Sequence, residues 1–212
     1  MVRFTEQFHY MTPPNANTPP LILISRLISN FFNPLTSLFL YYVYYSYLHY
    51  GWQQALLEFM PILFILILPV SIWIYWNYKR GNYSNMDVSN REQRKSLYMM
   101  IALALLVYLA VNYLLDGQVD LTVLFLFVLL ILMQISNFYI KSSMHTALNF
   151  YTAALFYTFD PLVGLVWCGI AVLVGVTRVI LKRHTPNEVL MGAVLAIAVS
   201  FAYLYTDNLL SN

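Results

Sequence analysis

PLVGLVWCGIAVLVGVTRVILKRHTPNEVLMGAVLAIAVSFAYLYT, residues 161–206, contains two apolar runs with a short cationic segment between them. Each run is about 20 residues long, the length that an α-helix needs to cross the hydrocarbon core of a bilayer. The segment between the runs carries four potential cations: Arg178, Lys182, Arg183 and His184. The pattern predicts two consecutive membrane-spanning helices, and it raises the question of what the cations at their junction do.

The composition of the whole chain agrees with a membrane location. Of its 212 residues, 60% are hydrophobic and only 9% are charged, whereas soluble domains carry about 25% charged residues. The apolar residues are spread along the chain, so we expect an integral membrane protein. The net charge of +2, without a basic stripe interleaved with aromatic residues, argues against a nucleic-acid partner.

Hydropathy divides the chain into a polar lead-in (1–21), one transmembrane domain (22–206) and a short tail (207–212). We expect an all-α, polytopic helix bundle of about six to seven spans, because the first segment contains Pro34 and can be kinked or partly interfacial. The candidate segments are 22–49, 55–78, 96–115, 121–140, 144–159, 162–182 and 188–206.

The distribution of positive charge predicts which way the helices cross. All eleven Lys and Arg residues lie on one face of the predicted bundle or at its helix ends. The loops of the opposite face, around 50–54, 116–120 and 160–161, contain none. Because cytoplasmic loops of membrane proteins are enriched in Lys and Arg, we expect the charged face to be the cytoplasmic one, in a bacterial cytoplasmic membrane.

The first polar cluster on the charged face is DVSNREQRK, residues 87–95, before the third predicted span. Arg91 and Arg94 are i,i+3 neighbours if the helix begins early, so that both guanidinium groups point the same way. Arginine can grip phosphate oxygens with two parallel N–H donors, so the pair suits a phosphate ligand. The alternative is a cytoplasmic loop with an ordinary mixture of charges.

The second cluster is KSSMHT, residues 141–146, at the start of the fifth predicted span. Unpaired N–H groups and the helix dipole favour an anion at such a helix start, and His145 adds an imidazole. The alternative is that Ser142 or Ser143 is only a helix cap and that His145 lies at the level of the lipid headgroups.

The third cluster lies in the opening stretch. Arg178 and His184 are six positions apart, so both can reach one site where the helix ends. Glu188 follows His184 by four residues and can accept a hydrogen bond from one ring nitrogen, which raises the nucleophilicity of the other. Glu188 also completes a capping box with Thr185 as the N-cap and Pro186 as the first helical residue. The two roles compete for one carboxylate.

Together the three clusters offer several cationic donors and two histidines at one end of the bundle. That set fits phosphoryl transfer without a metal ion: the donors hold the phosphoryl oxygens, one His attacks phosphorus and the other protonates the leaving oxygen. The acidic residues of this face have no spacing that favours a two-metal site, and we expect no cofactor. Lys182 and Arg183 are interpreted as positive charges that set the orientation of the helices and lie at the membrane–water interface.

At these residues the chain resembles the type 2 phosphatidic acid phosphatase superfamily, which includes membrane lipid phosphatases, glucose-6-phosphatase and the vanadium haloperoxidases. The resemblance covers roughly residues 79–206, and its most specific part is the third motif of the family, S-R-x5-H-x3-D. The residues that match this motif are Thr177, Arg178, His184 and Glu188.

The other two motifs of the family are matched less closely. The second, P-S-G-H, corresponds to Ser142-Ser143-Met144-His145, which keeps the Ser and the His. The first, K-x6-R-P, keeps its Arg as Arg94, but Asp87 replaces the Lys and Lys95 replaces the Pro.

The resemblance implies a phosphatase that acts on a lipid phosphate or pyrophosphate. His184 would be the nucleophile that forms a phosphohistidine, Glu188 would orient it, and His145 would be the general acid. The phosphate ligands would be Arg94, Arg178, Ser143 and the backbone N–H of Met144. To these we add Arg91 or Lys141 as a source of the cation lost at Asp87.

Asp87 and Met144 depart from the motifs and keep a second function open. That function is a catalytically impaired relative that binds anionic lipid or acts as a scaffold in a membrane complex. A small transporter is less favoured, because transport pathways usually bury ionisable groups at the middle of the membrane and the one candidate, Glu58, lies near the start of the second predicted span. The lipid phosphatases of the family commonly face away from the cytoplasm, which conflicts with the orientation that the charges predict.

Overall fold

The computed structural model describes residues 19–88 and 90–211, and within these residues all regular structure is helical. Most of the predicted lead-in (1–21) therefore lies outside the described residues. The helices are α1 (Pro20–Phe31), α2 (Pro34–His49), α3 (Trp52–Pro61), α4 (Leu68–Lys79), α5 (Arg91–Asp116), α6 (Leu121–Ser136), α7 (Met144–Tyr157), α8 (Pro161–Ile180) and α9 (Pro186–Ser211). A π-helical segment, Ile62–Ile67, joins α3 to α4. The all-α prediction is confirmed, and α9 continues through most of the predicted tail.

The number of membrane spans is smaller than the sequence suggested. Four helical segments are long and apolar enough to cross a membrane, or five if the bent pair α1 and α2 forms one span. The expected six to seven spans are not supported, because α6 has 16 residues and α7 has 14. At 1.5 Å per residue, α7 is about 21 Å long, well short of a hydrocarbon core of about 30 Å.

The helix starts follow local capping signals. Asn90, Asp120, Ser143 and Asp160 each accept a hydrogen bond from a backbone N–H in the first turn of the helix that follows. The break between α1 and α2 bends the chain by 53° just before Pro34, as the predicted kink required. These caps set where the loops between helices begin and end, and therefore which side chains those loops present.

The centre of the bundle is α7, most of whose side chains are buried. It packs chiefly against α8, α9 and α2. Gly192 of α9 allows the closest approach, because a Cβ atom at this position would lie 2.6 Å from the carbonyl oxygen of Ser143. The start of α9 is thus pressed against the start of α7, and the outer faces of the bundle are rich in exposed apolar side chains. This surface is compatible with an integral membrane protein.

Candidate active site

The three polar clusters of the sequence meet at one end of the bundle. Arg94 Nη1 donates a hydrogen bond to the carbonyl oxygen of Ser142 at 3.0 Å. The backbone N–H of Ser143 donates to the carbonyl oxygen of Glu188 at 2.9 Å. Arg178 Nη2 donates to Asp87 at 2.8 Å. The loop before α5, the start of α7 and the turn between α8 and α9 therefore form one site.

Glu188 performs both roles that the sequence left in competition. Its Oε2 atom lies 2.8 Å from Nδ1 of His184 and also accepts a hydrogen bond from the backbone N–H of Thr185 at 3.1 Å. The backbone N–H of Glu188 donates to Thr185 Oγ1 at 3.3 Å, which completes the capping box. The carboxylate holds the ring proton of His184 on Nδ1 and leaves the lone pair on Nε2.

The ring of His184 is buried, with 5% of the residue exposed. Burial lowers the pKa of His184, and the charges of Arg94, Lys141 and Arg178 lower it further, to about 2. Its Nε2 atom is buried without a hydrogen-bond partner among the described residues. His184 is therefore a neutral imidazole at physiological pH whose free lone pair faces a cationic environment.

Asp87 lies among the cations of the site. Its Oδ2 atom accepts the hydrogen bond from Arg178 and lies 3.7 Å from Nη1 of Arg183. Its Oδ1 atom lies 3.8 Å from Nε2 of His145. Arg183, interpreted from the sequence as a charge that sets helix orientation, thus faces the site, and Asp87 stands where the family motif has a Lys.

Arg91 and Arg94, which the sequence predicted to point the same way, donate hydrogen bonds to different partners. Arg94 is buried and donates through Nε to the carbonyl oxygen of Val88 at 3.0 Å, in addition to its bond to Ser142. Arg91 donates through Nε to the carbonyl oxygen of Asn137 at 2.6 Å, and the Asn137 side chain bonds back to the Arg91 carbonyl. The Nε atom of Arg91 is thus tied to the residue that follows α6, and the role of Arg91 as a phosphate ligand stays a prediction.

Lys141, Ser143 and Met144 occupy the positions from which the sequence expected them to act. Nζ of Lys141 lies 3.9 Å from Oε2 of Glu188, and Lys141 is one of the cations that lower the pKa of His184. Ser143 is the N-cap of α7 and accepts a hydrogen bond from the hydroxyl of Thr146 at 3.0 Å. Met144 is the first residue of α7. Of the two candidates for an added cation, the geometry favours Lys141.

Two polar residues that support the site were not expected from the sequence. Ser29 of α1 accepts a hydrogen bond from Arg178 Nη1 at 3.1 Å. Asn149 donates to the carbonyl oxygens of Phe32, at 2.9 Å, and of His145, at 2.8 Å, and so joins the α1–α2 bend to the first turns of α7. Ser29 has the polar neighbours Ser25, Arg26 and Asn30, and Asn149 lies between Thr146 and Thr152, so no local pattern in the sequence marked either residue.

Among the described residues, no three His, Cys, Asp or Glu side chains are grouped so that they could hold a metal ion.

Comparisons with protein-family models, with curated proteins and with solved structures found no match for this chain. The resemblance to the type 2 phosphatidic acid phosphatases thus stays a prediction that depends on the three motifs.

Proposed function

We propose that the protein is a membrane-embedded, metal-independent phosphatase that hydrolyses a lipid phosphate or a lipid or isoprenyl pyrophosphate through a phosphohistidine. One observation carries the proposal: Nδ1 of His184 is bonded to Glu188, while Nε2 is unpartnered, buried and surrounded by cations. Such a histidine has the tautomer and the protonation state that a nucleophile needs.

In the first step the lone pair of His184 Nε2 attacks phosphorus, and the bond from phosphorus to the leaving oxygen breaks. His145 is neutral in the substrate-free protein, because burial and then the charge of Arg178 lower its pKa to about 3. It takes up a proton when the phosphoryl anion binds and donates that proton to the leaving oxygen, so that the lipid alcohol or the lipid monophosphate leaves with one proton. Arg94, Arg178 and Lys141 stabilise the charge that develops on the phosphoryl oxygens. Glu188 stabilises the positive charge on the His184 ring as the P–N bond forms.

In the second step water attacks the phosphohistidine and gives its proton to His145, which is now a neutral base. The P–N bond breaks, its electron pair returns to Nε2 of His184, and inorganic phosphate is released. The proton on Nδ1 of His184 stays hydrogen-bonded to Glu188 throughout. His145 loses the proton taken from water when phosphate leaves, so the protein ends the cycle in its starting protonation state.

A surface groove, lined also by the polar residues Ser96 and Gln134, offers a candidate position for the lipid chain of the substrate. It lies between α5 and α6, where Lys95, Met99 and Ala102 face Leu130 and Ile131. Lys95 follows Arg94 in α5, and the apolar lining continues over about two helical turns. An acyl or prenyl chain in this groove would stay in the bilayer while its phosphate reaches the cations. From the charge distribution we place the site on the cytoplasmic side.

The proposal is tested by phosphate release from phosphatidate and from an isoprenyl pyrophosphate, with purified protein in detergent and EDTA present. We expect release by the native protein and loss of release in His184→Ala. Labelled phosphate should also remain covalently bound to the native protein after rapid denaturation without acid. Release that is unaffected by His184→Ala would overturn the proposal.

One observation favours a second candidate, an inactive relative that binds anionic lipid. The Asp87 carboxylate fills part of the cationic site through its contacts with Arg178 and Arg183. Binding of phosphatidate without turnover, under conditions in which the protein is folded, would identify this candidate.

A further inference from the structure

Asp87 occupies the point where the cations of the site converge. Oδ2 is hydrogen-bonded to Arg178 at 2.8 Å and lies 3.7 Å from Arg183, and Oδ1 lies 3.8 Å from His145. Burial raises the pKa of Asp87, but the interaction with His145, the charges of Arg178 and Arg183 and the hydrogen bond from Arg178 outweigh burial and lower the pKa below its ordinary value. The carboxylate is therefore ionised and acts as an anionic ligand of this cluster.

Two polar atoms of the same site are left unsatisfied while Asp87 is in place. Nε of Arg178 and Nε2 of His184 are buried and have no hydrogen-bond partner among the described residues. Buried polar groups are normally paired, so each unpaired one requires an explanation. A carboxylate has two oxygens in one plane, whereas a phosphoryl group has three terminal oxygens in a tetrahedral arrangement. The unpaired N–H of Arg178 Nε indicates a site built for an anion with more acceptor oxygens than the carboxylate that it holds, and the lone pair of His184 Nε2 is left for an electrophilic atom of that ligand.

The loop that carries Asp87 has an unfavourable backbone conformation next to it. Val88 has a φ of 42°, in the left-handed region that β-branched residues rarely adopt. It is fully buried and packs with Tyr83 and Leu97, and its carbonyl oxygen accepts the hydrogen bond from Arg94. These contacts, rather than the preference of the loop itself, hold Asp87 in the cluster. When a ligand displaces Asp87, the loop loses its ion pairs with Arg178 and Arg183.

We infer that the Asp87 carboxylate is a built-in competitor, which holds the phosphoryl-binding position in the substrate-free protein and is displaced when a phosphoryl group binds. The inference rests on the proposed function for the identity of the ligand. An internal competitor reduces the apparent affinity of every ligand of the site in proportion to the fraction of molecules in which the site is free. Asp87 thus keeps the site closed to weakly bound anions, including the abundant headgroups of a membrane.

The test is the affinity of the full-length protein for inorganic phosphate, measured by calorimetry in detergent at constant ionic strength. Asp87→Asn keeps the shape of the side chain but removes its charge. We expect it to bind phosphate at least about tenfold more tightly than the native protein, as expected for removal of a full charge a few ångströms away. Glu92→Gln is the matched control, because this variant removes the same charge from a nearby position. The Glu92 side chain is 73% exposed and pairs with Lys95. The affinity of this variant for phosphate should not change.

A second measurement tests displacement directly. Backbone amides of residues 81–88 in the native protein should exchange with deuterium faster when phosphate is saturating, because the loop is then released. Unchanged exchange, or phosphate affinity in Asp87→Asn that is equal to or weaker than native, would overturn the inference. Asp87→Ala provides the same affinity comparison if Asp87→Asn does not fold.

These outcomes are separable from those of the proposed function. Tighter phosphate binding by Asp87→Asn, without turnover of any lipid phosphate, would support the competitor and contradict the phosphatase. Turnover that depends on His184, with phosphate affinity unchanged in Asp87→Asn, would support the phosphatase and contradict the competitor.

Discussion

The Glu188 carboxylate accepts a hydrogen bond from Nδ1 of His184 at 2.8 Å, and the same oxygen caps α9 through the backbone N–H of Thr185 at 3.1 Å. The two roles are simultaneous because His184 immediately precedes the capping residue. A single carboxylate oxygen therefore determines where α9 begins and which nitrogen of His184 carries the proton.

Glu188→Gln should separate these two roles. Gln keeps the length of the side chain and an oxygen for the cap, but its amide group can donate to Nδ1 and so move the ring proton to Nε2 of His184. We expect phosphate release to fall by about 10²- to 10⁴-fold, with little change in the midpoint of thermal unfolding. Glu92→Gln serves as the control for loss of charge. A native rate in Glu188→Gln would mean that Glu188 acts only as a helix cap.

Arg94→Lys and Arg91→Lys form a matched pair on one helix. Arg94 bridges the carbonyl oxygens of Val88 and Ser142 with two different nitrogens, which a single ammonium cannot reproduce. We expect Arg94→Lys to lower the free energy of unfolding by about 1–3 kcal/mol and to reduce phosphate release at least about tenfold. Arg91→Lys should leave the rate near native. Equal losses of rate in both variants would indicate that Arg91 also binds the phosphate.

Stability should fall on acidification because of His184. Burial and the nearby cations lower its pKa from 6.5 to about 2 in the folded protein. Below pH 6.5 the unfolded chain binds a proton at this residue and the folded protein does not, so the folded state loses up to about 1.4 kcal/mol per pH unit. Asp87 acts in the same direction at lower pH: its pKa is lowered from 3.8, so the stability it contributes above pH 3.8 is lost below it.

Thermal unfolding in detergent between pH 7.5 and 5 measures the His184 effect. His184→Gln should show a flatter dependence of the unfolding midpoint on pH than the native protein. His49→Gln is the control, since His49 is exposed, and it should keep the native dependence. The same pH dependence in His184→Gln and the native protein would contradict the neutral, buried state of His184.

Gly192→Ala tests the contact between α7 and α9. The added methyl group would lie 2.6 Å from the carbonyl oxygen of Ser143, so we expect destabilisation by about 1–3 kcal/mol and a lower rate of phosphate release. Gly169→Ala in α8 is the matched control, because nothing lies within 4 Å of its added Cβ atom. That change should stabilise the helix slightly. Similar unfolding midpoints in the two variants would contradict the close approach.

Ala102→Trp tests whether the groove between α5 and α6 holds the lipid chain. The indole would fill the groove without touching the cations, so we expect weaker apparent binding of long-chain substrates. Release of phosphate from a short, water-soluble phosphomonoester should stay near native. Loss of activity toward both substrates, in a protein that remains folded, would count against the groove as the chain site.

Hydropathy predicted the helical class and the positions of most helices, because in a membrane an apolar run of this length satisfies its backbone hydrogen bonds most readily as an α-helix. It did not predict the role of α7. The residues of α7 are apolar enough to suggest a span, but the helix has only 14 residues and is covered by protein. Apolar composition does not distinguish a helix that faces lipid from one that is enclosed by other helices.

The site was predictable where its contacts are local. The spacing of Thr185, His184 and Glu188 indicated each hydrogen bond of Glu188 as an alternative, because residues three and four positions apart are neighbours on a helix. It did not indicate that both form at once. The partner of Asp87 could not be predicted in this way, since Arg178 is 91 positions away in the chain. The contact of Arg178 with Ser29 spans 149 positions and depends on how α1 packs against α8.

The hydrogen bond from the backbone N–H of Ser143 to the carbonyl oxygen of Glu188 joins the two halves of the site through main-chain atoms. Substitution of either side chain leaves those atoms in place, and the small size of Gly192 preserves the approach. The backbone arrangement of the site therefore does not depend on the side chains that carry out its chemistry. The reactive side chains can be exchanged, or lost, while the main-chain contact between the starts of α7 and α9 is kept.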